Sequence, residues 1–236
     1  MEKIITYETL RRFAYSNDSL ITGPIRGIVV DFFGLGGATM YKTDPGDALE
    51  YAREGIVYLV PYYNPWSWMN RQAVDFTDEL VEVLCRHYGL GEKVKVVSTG
   101  GSMGGLSALV YCVYAKITPC ACVASCPVCD LVYHFTERED LPRTLYSAFG
   151  SYEGDMTSAL KTCSPLHLVD KMPAIPYTIF HCEGDKSVDL EKHSGRFVEA
   201  MKPTHEICFV TVPLRGHCDL SAQAKVEYRQ AILAAL

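Results

Sequence analysis

Val94-Lys95-Val96-Val97-Ser98-Thr99-Gly100-Gly101-Ser102-Met103-Gly104-Gly105-Leu106 runs from a β-branched stretch, through a glycine-rich bend, into the helix-like run Leu106 to Tyr114. Its centre is Gly-x-Ser-x-Gly between a strand and a helix, the setting in which that pattern forms a nucleophile elbow. A serine on so sharp a bend is held in a strained backbone conformation, and side chains two residues before and after it would collide across the turn. Gly100 and Gly104 remove those collisions. The bend lifts the Ser102 hydroxyl above the carboxyl ends of the strands, where ligands bind in open α/β sheets. It also aims that hydroxyl at the start of the next helix, where the Met103 N–H and the helix dipole can stabilise an oxyanion. The plain alternative is a tight strand-to-helix turn with an incidental serine.

On either side of this bend, β-branched and aromatic runs recur at Gly27–Phe33, Gly55–Val60, Cys120–Ala124, Tyr177–His181 and Glu206–Val212. Helix-like stretches separate them, which implies right-handed crossovers and a mostly parallel sheet. The runs are apolar on both faces rather than alternating, as strands covered by helices on both sides must be. The predicted class is therefore α/β, a three-layer α/β/α sandwich.

One crossover helix begins near Asp44-Pro45 and ends at Gly55. A second runs from about Asn70, with Val74, Thr77, Val81, Leu84 and Tyr88 on one stripe, and stops at Gly89. The opening segment Ile4 to Ser16 is read as antiparallel edge strand. Residues 131–163 turn polar, carry the charge cluster Glu137 to Asp140 and contain no apolar strand, so they read as a small helical insertion capping the sheet. They are too few for a core of their own. Residues 1–236 thus read as one domain, without repeats or linkers.

At 236 residues and 48% hydrophobic content the chain can bury one sizeable core. A net charge of −6 with no Lys/Arg cluster argues against a nucleic-acid footprint, and nothing resembles a basic amphipathic membrane helix. Met1 to Tyr7 is too short and polar for a signal peptide, and no apolar run reaches the length of a membrane span, so a cytoplasmic location is expected. The ten cysteines would then be thiols, and Cys112, Cys122 and Cys208 are read as small core hydrophobes. Cys126 and Cys129 spell Cys-x-x-Cys, but no second pair completes a four-ligand zinc site, so no metal is expected.

With the elbow in place the chain, from Gly27 onward, resembles the α/β-hydrolases, in the style of small esterases, monoacylglycerol-lipase-like enzymes and prolyl-oligopeptidase catalytic domains. The resemblance implies an acid in a His-Gly-x-x-Asp-x-x-Val loop. His181-Cys182-Glu183-Gly184-Asp185-Lys186-Ser187-Val188 matches it with Cys182 in place of the first glycine, which makes Asp185 the candidate. Asp130, after the preceding strand, and Asp189 are rivals. The resemblance also implies a histidine after the last strand, in the order Ser, Asp, His, and Leu214-Arg215-Gly216-His217-Cys218 supplies His217. Of the six other histidines, His87 lies on a helix and His181 within or at the end of a strand, while His134, His167, His193 and His205 lack a glycine-flanked loop at a strand's carboxyl end. A second oxyanion donor is implied in a His-Gly-x-Gly loop, here Phe33-Gly34-Leu35-Gly36-Gly37, with Leu35 as the candidate. Phe33 replaces the histidine and cannot make its hydrogen bonds.

Both tryptophans lie in Pro61-Tyr62-Tyr63-Asn64-Pro65-Trp66-Ser67-Trp68-Met69, at the carboxyl end of a strand. Phe33, Tyr63, Trp66 and Trp68 are the candidate pocket rings, the alternative being that the loop wedges a helix start against the sheet. Tyr133, Phe135, Leu145, Tyr146 and Phe149 of the insertion are expected over the same mouth. The function expected is hydrolysis of a small carboxylic ester through an acyl-enzyme, without metal or organic cofactor. A peptidase or acyltransferase is open on the same fold, as are a silenced hydrolase-fold binding protein and a thiol-redox protein.

Overall fold

The computed structural model describes residues 5–37, 41, 43–91 and 93–236. Among the described residues seven strands form one sheet: β1 Ala14–Ser16, β2 Gly27–Phe32, β3 Ile56–Pro61, β4 Val96–Gly101, β5 Ala121–Ser125, β6 Tyr177–Cys182 and β7 Ile207–Val212. Their spatial order is β1-β3-β2-β4-β5-β6-β7. Only β1 is antiparallel, pairing Ala14 with Pro61, and every other neighbouring pair is parallel.

The helices are α1 Gly46–Arg53, α2 Arg71–Tyr88, α3 Met103–Tyr114, α4 Leu131–Glu137, α5 Leu141–Phe149, α6 Met156–Lys161, α7 Arg196–Met201 and α8 Ala222–Ala235. Their ends follow local chemistry. The Asn70 side chain accepts from the Ala73 N–H to open α2, and Gly89 at φ +62° closes it in the left-handed region that glycine tolerates. Val74, Val81 and Leu84 of α2 pack with Leu106 and Leu109 of α3 and Phe197 of α7 against one face of the sheet, where Ile28, Val30, Val57 and Leu59 point. On the other face Val29, Ile56, Tyr58 and Val97 meet Ala48 and Tyr51 of α1 and Ala224 and Ile232 of α8. Alternate residues of one strand therefore serve opposite layers, and strands covered on both sides give the largely hydrophobic, non-alternating runs of the sequence. The chain is a three-layer α/β/α sandwich.

The opening segment departs from its expected form. Only Ala14–Ser16 is strand, preceded by a single 3-10 turn at Leu10–Arg12, while Ile4 lies outside the described residues. An ion pair of Arg11 with buried Asp18 and hydrogen bonds from Tyr7 and Tyr88 to the same carboxylate fix this segment to the end of α2. Cys208 is also corrected. It lies on β7, the sheet's edge strand, and is exposed, whereas Cys112 and Cys122 are buried as expected. Residues 131–163 carry α4, α5 and α6 between β5 and β6. Among the described residues no helix is long and apolar enough to cross a membrane.

Candidate active site

Ser102 stands between the end of β4 and the start of α3 at φ +61°, ψ −125°, a strained conformation for a residue with a side chain. Its backbone is held from both sides: its N–H donates to Ser125 O at 2.9 Å, and its carbonyl accepts from Leu106 N–H at 3.1 Å and Val128 N–H at 3.3 Å. The flanking glycines are required by contacts. A Cβ on Gly104 would lie 1.9 Å from the Phe32 carbonyl oxygen, and one on Gly100 would lie 2.6 Å from both Gly104 and Phe32. The collisions are thus with the end of β2 as well as across the turn.

His217, in the loop after β7, places Nε2 2.8 Å from Ser102 Oγ. Its Nδ1 lies 2.6 Å from Asp185 Oδ2. The Asp185 side chain is fully buried, and its Oδ1 accepts from Ser187 N–H at 2.8 Å and Val188 N–H at 3.0 Å. Burial by itself would raise this carboxyl, but hydrogen bonds from His181, His217, Val188 and Ser187 outweigh it and hold Asp185 below the ordinary carboxylate range. His217 shows the same contest with the opposite outcome for a base. Burial lowers it, contact with Asp185 raises it, and the net direction is up.

The rival carboxylates are engaged elsewhere. Asp130 caps α4 by accepting from Val132 and Tyr133 N–H and pairs with Arg196 at 2.8 Å, while Asp189 accepts from Lys192 N–H. His181 and His193 are fully buried. His181 bonds Ser194 Oγ and the Val188 carbonyl, and His193 accepts from the Cys129 and Asp130 amides.

The Phe33-to-Gly37 loop packs on the elbow, with the Cβ position of Gly34 3.7 Å from Ser102 Cβ. Where the hydrogen bonds of a histidine are missing, Tyr63 acts instead. Its ring stacks on Phe33 at 4.2 Å, and its hydroxyl donates to the Phe33 carbonyl at 2.8 Å. Gly36 N–H adds a bond to Pro65 O at 3.0 Å. Met103 N–H opens α3, where an amide has no carbonyl of its own helix to reach.

A cavity of about 550 Å³ opens over Ser102 and His217, lined by Phe33, Leu35, Trp68, Val128, His134, Arg138, Val188 and Cys218 among others. Of the four candidate rings, Phe33 and Trp68 line it. Tyr63 is buried beneath, bracing the loop, and Trp66 is 47% exposed and outside the lining. The tryptophan loop also leads into α2, so both of its expected roles are combined: Trp68 is 1% exposed and its Nε1–H donates to Thr144 Oγ1 of α5 at 3.0 Å.

The expectation for the insertion is corrected. Leu145 and Phe149 turn into the core and Tyr146 faces solvent, while the insertion's contribution to the cavity is polar, His134 and Arg138. Spacing gave no sign of this, because which side of a short helix faces a cavity depends on its tertiary docking. His134 Nδ1 and His193 Nε2 share Glu137 Oε2 at 2.5 and 3.0 Å. Burial raises Glu137, but these two bonds bring it down to about 2. Arg138 donates twice to Asp140.

A model of the prolyl oligopeptidase family matches residues 67–235. An uncharacterized peptidase, YtmA, of Bacillus subtilis is 25% identical over 169 residues, 69% of this chain and 64% of that protein. The chain thus spans under two thirds of that relative. Among solved structures, a puromycin-hydrolyzing peptidase of Mycobacterium tuberculosis superposes with TM-score 0.71 at 20% identity, over 90% of this chain and 34% of that one. Esterase 2 of Thermogutta terrifontis does so with TM-score 0.64 at 21% identity, over 94% of this chain and 86% of that one. Likenesses at these identities establish the α/β-hydrolase fold.

Proposed function

Because the chain belongs to the prolyl oligopeptidase family of serine hydrolases, we propose that it hydrolyses small carboxylic esters through an acyl-enzyme, with Ser102 as nucleophile, His217 as base and Asp185 as the group that orients it. The observation that carries this reading is the chain of hydrogen bonds from Ser102 through His217 to buried Asp185, at 2.8 and 2.6 Å, on the floor of an open cavity. Nδ1–H directed at Asp185 leaves the Nε2 lone pair facing the serine hydroxyl, the tautomer a general base requires. His217 takes the proton as Ser102 Oγ attacks the ester carbonyl. The tetrahedral oxyanion is held by Met103 N–H at the start of α3 and Leu35 N–H in the Tyr63-braced loop. Collapse expels the alcohol, which takes the proton from His217, and water then releases the acid by the same route.

The size of the cavity and its lining by Trp68, His134 and Arg138 support a small substrate, with α4 to α6 serving as a cap within one domain. Peptide hydrolysis is the second reading, favoured by the family and by the peptidase relative, since fold and triad do not fix the leaving group. A fluorophosphonate probe should label the wild type and not Ser102→Ala. Purified protein should then turn over p-nitrophenyl acetate or butyrate faster than aminoacyl-p-nitroanilides, and the reverse order would replace esterase by peptidase. Absence of labelling in the wild type would leave a silenced binding protein.

A further inference from the structure

Cys126 and Cys129, neighbours in a Cys-x-x-Cys pattern, part company in the fold. The Cys129 N–H donates to His193, on the cap side. Cys126, at φ +44°, turns its sulfur the other way, where it accepts from the Cys182 and Cys218 amides, each at 3.4 Å. Cys218 is itself in the left-handed region at φ +54°. Its Sγ sits 3.8 Å from His217 Nε2. Gly101 leaves that sulfur room, since a Cβ there would come within 3.2 Å of it. Cys126 Sγ, Cys218 Sγ and a ring nitrogen of His217 all lie within 4.8 Å of one another. Strained non-glycine backbone at Ser102, Cys126 and Cys218 therefore surrounds one point.

We propose that Cys126, Cys218 and His217 form a binding site for a thiophilic divalent cation, Zn²⁺ by its ligand set, and that occupation silences Ser102. The second half rests on the hydrolase reading; the site itself does not. Zn–S bonds of about 2.3 Å and Zn–N bonds of about 2.0–2.1 Å at a tetrahedral angle put sulfur about 3.6 Å from nitrogen. The 3.8 Å between Cys218 Sγ and His217 Nε2 needs only a small adjustment to match. The Asp185–His217 bond, which prepares Nε2 to accept a proton, equally prepares it for a metal, because a carboxylate behind the far ring nitrogen is the usual support of a zinc-bound histidine. Amides pointing at the Cys126 sulfur suit a thiolate.

Binding forms two Zn–S bonds and one Zn–N bond. The two thiol protons leave to solvent, and the dication with two thiolates is electrically neutral in a partly buried place. A water from the cavity, which Cys218 and His217 line, takes the fourth position. Nε2 cannot hold the ion and receive the Ser102 proton together, so the bound form is inactive. Among the described residues two other groups of possible ligands lie as close: in one, His134 and His193 are both engaged by Glu137, and in the other, which shares Cys126, His181 bonds Ser194 and the Val188 carbonyl and Asp185 bonds His217.

Co²⁺ serves as the spectroscopic probe, because cobalt bound to thiolate gains a charge-transfer absorption in the near ultraviolet. Reduced wild type and Ser102→Ala should each develop that band with saturation at one equivalent, and the exposed-cysteine control Cys208→Ser should match them. Cys218→Ser and Cys126→Ser should lose at least half of the band, with thermal melts confirming that each is folded. Zn²⁺ should inhibit ester turnover reversibly on addition of a chelator, with the half-inhibiting concentration raised at least tenfold in Cys218→Ser relative to that variant's own zinc-free rate. No saturable band in the wild type, or a full band in both cysteine variants, overturns the site. A protein without esterase or peptidase activity leaves the Co²⁺ result standing, so the two failures are distinguishable.

Discussion

At the scale of single residues the decisive quantity is the proton affinity of His217. Burial opposes its protonation and Asp185 favours it, with Asp185 prevailing, so His217 stays charged to a pH above the ordinary 6.5 of an imidazole. In the proposed reaction only the neutral ring accepts the Ser102 proton. The kcat/KM for a neutral p-nitrophenyl ester, measured with chelator present, should therefore fall on a one-proton acid limb whose midpoint lies above 6.5. Asp185→Asn removes the charge that raises the base, so the limb should move to lower pH. The rate on the plateau should drop on the order of 1,000- to 10,000-fold, because the tautomer is no longer fixed. An unmoved limb in Asp185→Asn would mean that another carboxylate sets the base; Asp130, tied to Arg196 and to the start of α4, is badly placed to do so.

Among elements, the loop after β2 depends on the loop after β3. Tyr63 Oη holds the Phe33 carbonyl at 2.8 Å, and the two rings stack. Tyr63→Phe keeps the stack and removes one hydrogen bond, which costs about 1 kcal/mol of stability. It should also loosen the loop that carries Leu35, the proposed second oxyanion donor. Losing an oxyanion donor outright costs about 100- to 1,000-fold, so loosening one should lower kcat by roughly tenfold. KM should stay within a factor of two, and a raised KM with unchanged kcat would assign Tyr63 to substrate binding instead. This brace was not legible in the sequence, where Phe33 is visible only as a missing histidine. The elbow was legible, because Gly100 and Gly104 are imposed by backbone contacts as close as 1.9 Å. The central strands were legible for a similar reason: burial on both faces favours apolar residues at most positions, and the few polar ones, such as Ser98, Thr99 and His181, are buried with hydrogen-bond partners. Edges and docking surfaces were not. Cys208 looks like a core residue until β7 proves to be the last strand, and the polar groups that α4 and the residue after it bring to the cavity, His134 and Arg138, follow from docking of His134 against Trp68 and His193 rather than from any period.

For the whole molecule, two carboxyls set opposite slopes of stability against pH. Asp185 is depressed on folding, so its contribution is present above the ordinary carboxylate range and lost as pH falls below it. Asp31, on β2, is the reverse: burial raises it from 3.8 to about 6, the bond from Tyr58 opposes that, and Asp47 adds to it. A group raised on folding contributes fully below its unfolded value and loses that contribution as pH rises through its folded one. Wild type should therefore lose stability between about pH 4 and pH 6 on account of Asp31 and carry a strained, ionised carboxylate at neutral pH. Each pKa unit corresponds to about 1.4 kcal/mol, which sets a ceiling of about 3 kcal/mol, reduced to about 1–2 kcal/mol by solvent around a partly exposed side chain. Asp31→Asn keeps an oxygen for the Tyr58 hydroxyl and has no charge to bury. Urea unfolding should show it more stable than wild type by about 1–2 kcal/mol at pH 8. At pH 4.5 Asp31 already holds its proton in the folded state, so the advantage should shrink toward zero. An equal difference at both pH values would mean that the substitution acts through packing, and the protonation account of this strand would fail.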